Sequence, residues 1–215
     1  MDTFRLPTPL PDDPLPLVQA WLDDAARDGT QHNPGAMALA TADASARPAV
    51  RMVLLKSVCV ELGFAVFYTN RRSRKGRELE ANPRAAGALY WERLGRQLRL
   101  EGRAAVSPDA ESDAYFATRP LGSQINAWAS AQSEPLAAFA ELERRADVKM
   151  RELAGAKHVQ RPPFWGGYRL WLDAVEFWVA GRDRFHERVR YERPLAGELP
   201  VAPSSERWRR TLLQP

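Results

Sequence analysis

Met37-Ala38-Leu39-Ala40-Thr41, a polar link over residues 43–48, then Val50-Arg51-Met52-Val53-Leu54-Leu55-Lys56: this stretch decides the fold class. Two short apolar runs joined by a hairpin-length link predict an antiparallel β-hairpin. Outward from it, residues 64–69, 85–91 and 96–106 read as three further strands. In the last, Leu98 and Leu100 fall on one face and Gln97, Arg99 and Glu101 on the other, the alternation of a strand with one buried side. Strands return over residues 168–172, 175–180 and 189–193. A helix precedes the hairpin, with Leu15, Val18, Leu22 and Ala25 at helical spacing up to Asp28-Gly29. Three more helices are predicted. One covers residues 73–81 behind the N-cap Ser73, and one opens at the N-cap Ser107 with Pro108 in first position. The third covers residues 134–153, with Leu136, Phe139, Leu142, Ala146, Met150 and Leu153 as an apolar stripe. Roughly eight short strands with helices inserted late predict a mainly β, α+β fold: an antiparallel barrel with peripheral helices. The Pro-rich residues 1–13 read as an extended arm and residues 14–215 as one domain.

With 215 residues, 45% of them apolar, the chain can bury one substantial core. No apolar run reaches the roughly 18–20 residues of a membrane span. The acidic, Pro-rich start lacks the features of a secretory signal, so a cytoplasmic location is expected. The single cysteine, Cys59, excludes an internal disulfide framework and a cysteine-based metal cluster; a reduced core thiol is expected there. No metal constellation, nucleophile elbow, Walker loop or dinucleotide-binding glycine turn is present. Net charge is +4, and the cations are almost entirely arginine, whose planar fork of donors suits phosphate and carboxylate. Such a balance fits a nucleic-acid surface, a few small-anion sites, or plain compositional bias.

Three segments carry candidate chemistry. Ser73-Arg74-Lys75-Gly76 puts two cations in the first turn of a helix, where the macrodipole disfavours them unless an anion binds there. A solvated basic face would read the same way. Tyr115 and Arg119 lie four apart on one helix face, with Ser123 just past the Pro120 break; a phenol, a guanidinium and a hydroxyl would converge on a second anion. A capped helix end with an incidental arginine is the simpler alternative. Trp178 ends a strand and is followed by Arg184-Phe185-His186-Glu187-Arg188, the one histidine whose neighbours carry a pattern of charge. An edge strand with alternating surface charges would look alike.

Taken in order, Arg51 to Lys56, Phe67-Tyr68-Thr69-Asn70, Ser73 to Gly76, Arg96-Gln97, Tyr115-Phe116, Arg119-Pro120, Ser123-Gln124, Ala127-Trp128, Gln132-Ser133, Trp165-Gly166-Gly167, Glu176-Phe177-Trp178 and Arg184 to Arg188 resemble the pyridoxamine 5′-phosphate oxidase family. The likeness runs from about Leu15 to Pro215. It implies an FMN-binding split barrel working as a homodimer with each flavin at the subunit interface. By the same resemblance the flavin would meet Arg51, Met52, Val53, Leu54, Leu55, Lys56, Tyr68, Thr69, Arg74, Lys75, Gln97, Gln132, Ser133, Trp178 and Arg188. Lys56, Tyr115, Arg119 and Ser123 would hold the substrate phosphate, with Arg184 and His186 facing the substrate ring as the catalytic pair. The implied reaction oxidises pyridoxamine or pyridoxine 5′-phosphate to pyridoxal 5′-phosphate, with oxygen as acceptor and hydrogen peroxide released.

The chain departs from the family where Phe185 and Glu187 replace the usual Leu and Asp, and where the N-terminus lacks the basic, aromatic arm of many members. Phenazine-pathway relatives often carry Glu at the Glu187 position but tend to lack the substrate-phosphate set, which is whole here. That favours the vitamin B6 reaction over an unphosphorylated ring substrate. A nucleic-acid-binding module would instead need dispersed cations and exposed aromatics. No nucleic-acid or membrane partner is expected.

Overall fold

In the computed structural model, residues 5–153, 159–195 and 207–215 are described. Helix α1 (Leu15–Asp28) buries Leu15, Val18, Trp21 and Ala25 and stops at Gly29, whose φ of 64° is cheap only for glycine. The strands follow as β1 (Ala36–Ala42), β2 (Pro48–Cys59) and β3 (Phe64–Asn70), then helix α2 (Arg74–Ala81), β4 (Arg84–Trp91) and β5 (Arg96–Val106). Helices α3 (Asp109–Ala117), α4 (Leu121–Ala129) and α5 (Phe139–Glu152) lead to β6 (Trp165–Val179), β7 (Glu187–Glu192) and β8 (Arg209–Leu213).

The strands form one antiparallel sheet in the order β3-β2-β1-β4-β5-β6-β7-β8, and β3 also pairs with β6. That extra pairing closes β1 to β6 into a barrel, leaving β7 and β8 as a flap off β6. Inside lie Met37, Leu39, Phe67, Leu89, Leu98, Leu100, Leu170 and Phe177, all buried, and α1 covers one end with Trp21 set edge-on to Phe177 at 4.9 Å. Closure pairs β3, which would otherwise be an open edge, and leaves β8 as the edge strand of the flap. Among the described residues, no helix is long and apolar enough to cross a membrane.

Two bulges shape the barrel. On β2 the register slips between Leu55 and Ser57, so Lys56 is the extra residue. On β6 the partners of Glu101 and Gly102 are Ala174 and Leu172, which leaves Asp173 out. Residues 168–172 and 175–180 are therefore one strand and not two; the bulge flips the alternation at Asp173 and mimics a break. Pro120 does not merely end a helix. Its carbonyl accepts from the Ser123 and Gln124 amides and starts α4, which the sequence did not announce. Ser107 does not cap α3; its hydroxyl is buried without a partner and the helix begins at Asp109. Helix α5 starts later than expected and buries none of its side chains, and Phe139 is 83% exposed. Cys59 is half-buried at the margin of the Phe64 and Trp171 cluster rather than in the main core. The N-terminal segment lies across β7 and β8: Tyr191 donates to the Pro11 carbonyl at 2.9 Å and the Leu6 amide donates to Glu187 at 2.8 Å.

Candidate active site

A cavity of about 540 Å³ opens where β2, β3 and the start of β6 meet α3 and α4. Lys56, Tyr115, Arg119 and Ser123 all line it, from three separate elements, together with Leu54, Tyr68, Thr69 and Gln132. The bulge turns Lys56 outward, its Nζ 5.8 Å from the Tyr115 ring centroid. Tyr115 stacks on Tyr68 at 3.9 Å, and Tyr68 stacks on Trp165 at 5.6 Å. The Arg119 guanidinium sits 4.5 Å above the Trp165 ring. Its Nη1 is buried and finds no acceptor, and burial lowers the guanidinium pKa. A buried cationic donor without a partner is uncommon in a folded protein and marks a place for an anion. Burial, with the Glu111 and Tyr115 charges, pushes the Tyr68 phenol up to about 12, so it stays protonated.

The second anion site is built at the start of α2. Ser73 caps the helix by accepting from the Gly76 amide. A Cβ at Gly76 would lie 1.9 Å from the Arg71 carbonyl oxygen, so only glycine lets this turn close. Lys75 points inward: its ammonium donates to Thr69 Oγ1 at 3.0 Å, Ser73 Oγ at 3.0 Å and Gln132 Oε1 at 2.8 Å. Through Thr69 and Gln132 it joins the cavity wall. Burial, reinforced by Arg51 and opposed by Glu78, brings the Lys75 pKa down to about 8. Arg74 is half-exposed and bonded to Glu78, and Arg51 meets Glu78 at 2.8 Å. Met52 faces outward, 63% exposed, whereas Leu55 is buried and Val53 packs against the core. The side chains of Val53 and Leu55 thus point into the barrel, leaving only their backbone to a ligand. Ser133, at φ 74°, is exposed on the loop after α4.

The remaining candidates gather elsewhere. Trp178 is in register with Gln97 on one side and Arg188 on the other. The His186 ring lies 4.5 Å from Trp178, and its Nδ1 accepts from the Gly181 amide at 3.2 Å. Asp183 and Arg184 both hold positive φ, at 54° and 66°, a backbone strain of about 1 kcal/mol or more each that often accompanies functional loops. None of these residues lines the cavity. Gly167, beside Tyr68, and Trp178 are eleven residues apart on β6, about 36 Å along the strand at roughly 3.3 Å per residue. One chain therefore carries these two groups of residues at opposite ends of its longest strand.

Two buried carboxylates were not singled out as site residues from the sequence. Glu78 is 4% exposed between Arg51 and Arg74, and Glu176 is 2% exposed between Arg99 and Arg188. The signal for Glu176 was a charge inside the otherwise apolar run from Val175 to Val179.

Residues 22–148 match the family model described as pyridoxamine 5′-phosphate oxidase, and residues 165–215 match the pyridoxine 5′-phosphate oxidase C-terminal dimerisation region. The pyridoxine/pyridoxamine 5′-phosphate oxidase of Rubrobacter xylanophilus is 49% identical over 94% of this chain and 87% of its own length. That of Myxococcus xanthus is 44% identical over the whole of both chains. Among solved structures, PhzG from Burkholderia lata in complex with tetrahydrophenazine-1-carboxylic acid superposes with a TM-score of 0.84 at 34% identity, covering 97% of this chain and 95% of that one. An FMN-binding protein from Nostoc punctiforme, 16% identical over 93% of this chain and 98% of its own, shares the fold with a TM-score of 0.70. With two models of the family matched over residues 22–148 and 165–215 and the closed barrel in place, the chain belongs to the pyridoxamine 5′-phosphate oxidase family.

Proposed function

We propose that this protein is an FMN-dependent oxidase that converts pyridoxamine 5′-phosphate, and pyridoxine 5′-phosphate, to pyridoxal 5′-phosphate. The observation that carries this reading is the buried, unpartnered Arg119 Nη1 beside Lys56, Tyr115 and Ser123. Such a donor set fits a phosphate, and Trp165 beneath the guanidinium holds its plane. The start of α2 fits the phosphate of the cofactor, with Lys75, Arg74 and Arg51 around a capped helix N-terminus. When bound, the flavin supplies the redox chemistry by accepting a hydride equivalent from the amine-bearing or alcohol-bearing carbon. With the amine, the carbon is left as an imine that water hydrolyses to the aldehyde with release of ammonia. Molecular oxygen is the final acceptor, and hydrogen peroxide leaves.

The two half-sites support a homodimer in which each active site combines the cavity of one subunit with the Trp178, Arg184, His186 and Arg188 end of the other. Val50, Met52 and Leu54 form an exposed apolar stripe on β2, and Leu54 also lines the cavity, so the stripe runs into the site. A stripe of this kind is what an obligate interface covers. The matched dimerisation region spans β6 to β8, the elements carrying the second half-site. Because Nδ1 of His186 is occupied by the Gly181 amide, Nε2 is the nitrogen left to meet the substrate.

The likeness to PhzG keeps one other reading, an unphosphorylated tricyclic substrate. The two separate on the substrate phosphate. Steady-state oxidation of pyridoxamine 5′-phosphate is expected to yield aldehyde and hydrogen peroxide in equal amounts, with kcat/KM far above that for pyridoxamine. Equal turnover of the two, or preference for a tricyclic acid, would overturn the assignment.

A further inference from the structure

Glu78, on α2, sits in the midst of the cations at the start of that helix, and both of its oxygens accept hydrogen bonds. Oε1 accepts from Arg74 Nε at 2.7 Å, and Oε2 accepts from Arg51 Nη2 at 2.8 Å and from the Thr41 hydroxyl. Arg51 closes the circuit by donating Nη1 to Thr41 Oγ1 and to the Leu39 carbonyl at 3.2 Å. Although burial opposes it, bonds from Thr41, Arg74 and Arg51 hold the Glu78 carboxyl below its usual range, so it is ionised. A guanidinium carries five N–H donors in one rigid plane, so anchoring one edge sets the direction of the others. Arg74 uses Nε on Glu78 and keeps both Nη groups; Arg51 keeps its Nε. Burying a carboxylate gains little stability over a well-packed apolar side chain, even when it is paired. Its presence in this turn is better explained by what it does to the arginines.

We propose that Glu78 is a positioning residue for the cofactor phosphate: it ties the inner edges of Arg51 and Arg74 together and leaves their remaining donors as a fixed clamp beside the charge of Lys75. One carboxylate among three cations also leaves a net charge matched to a phosphate of about two negative charges. The role rests on the FMN reading above.

The test compares FMN with riboflavin, which lacks the phosphate, by flavin-fluorescence quenching on the full-length flavin-free protein. Glu78→Ala is expected to weaken FMN by about ten- to a hundredfold, the range of charge-assisted hydrogen bonds, while riboflavin changes by less than about threefold. Glu78→Gln, which keeps one acceptor oxygen, should recover part of the loss; it serves alone if the alanine variant does not fold. Equal weakening of both flavins, or unaltered FMN binding, would overturn the positioning role and leave Glu78 as a packing residue. A wild-type protein that binds FMN and riboflavin equally would overturn the FMN reading instead.

Discussion

Arg119→Ala should damage substrate binding while sparing the fold, and the two effects can be sized separately. In the free protein the guanidinium gains from the Trp165 ring 4.5 Å away, worth about 1 kcal/mol at a partly desolvated site. Against this, the buried Nη1 has no acceptor, at a cost of about 1–3 kcal/mol. Truncation loses the first and relieves the second. The backbone bonds at this position, from the Arg119 amide to Phe116 and from Gln124 Nε2 to the Arg119 carbonyl at 2.7 Å, remain. Folding stability should therefore change by no more than about 1 kcal/mol, or roughly 2–4 °C in Tm for a chain of this size, and an increase is as admissible as a decrease. With substrate bound, the same group makes a charge-assisted contact to phosphate worth about 1.5–3 kcal/mol, so kcat/KM should fall about ten- to a hundredfold. The loss belongs in KM, since the phosphate is remote from the reacting carbon and is held alike in ground and transition states. FMN content should not change, because Arg119 makes no contact with the Lys75 cluster. Thermal melts and initial rates with pyridoxamine 5′-phosphate decide the matter. A Tm falling by more than about 10 °C with KM unaltered would refute the reasoning, because Arg119 would then be a structural residue.

Lys75 gives the pH dependence. Its folded pKa of about 8 lies below the usual lysine value of 10.5, so between these values the unfolded chain holds the extra proton and flavin-free protein gains stability as pH rises. FMN affinity should move the opposite way, falling by up to about tenfold per pH unit above pH 8, and Lys75→Arg should flatten that profile; parallel trends in melts and titrations would contradict it. Gly76→Ala places a methyl 1.9 Å from the Arg71 carbonyl and should cost about 1–3 kcal/mol in chemical denaturation, with loss of bound flavin. His186→Ala or Arg184→Ala should lower kcat with little change in KM, since both would face the ring where charge shifts. At substrate well below KM, mixing Arg119→Ala with Arg188→Ala subunits should restore about a quarter of the wild-type rate, because half the dimers are mixed and each of those holds one intact site; no recovery after subunit exchange would place both residues in one chain's site.

The barrel was legible because its strands announce themselves locally: Leu98 and Leu100 point inward as their alternation predicts, and Gly29 ends α1 in the left-handed conformation. Ser73 caps α2 as its position implied. What escaped the sequence was non-local. The Asp173 bulge exists because β6 must pair with β3 along its first half and β7 along its second, and no local signal at Asp173 separates a bulge from a loop. Strand β8 is largely exposed and carries Arg209 and Arg210, so neither alternation nor apolarity marks it. Helix α5 had a clear apolar stripe, yet among the described residues none of its side chains is fully buried, and only Leu153 just beyond it reaches the Phe116 and Trp165 cluster. The anion sites were legible as residue types at set spacings, since cations in a first helical turn and Tyr115 with Arg119 at four residues carry their own chemistry. That Trp178 and the cavity-lining residues stand at opposite ends of one strand was not legible, because the strand's length depends on the bulge. Glu78 stands four residues after Arg74, a spacing that marks a local ion pair and no more; its link to Arg51 and Thr41 depends on α2 packing against β1 and β2.

The most direct test of the account is the visible spectrum of the purified protein when pyridoxamine 5′-phosphate is added without oxygen. A yellow protein whose flavin absorbance bleaches, with one pyridoxal 5′-phosphate formed per flavin and the colour restored on admitting air, is the expected result. A protein that cannot be loaded with FMN, or a yellow one whose spectrum is untouched by the phosphorylated amine, would contradict it.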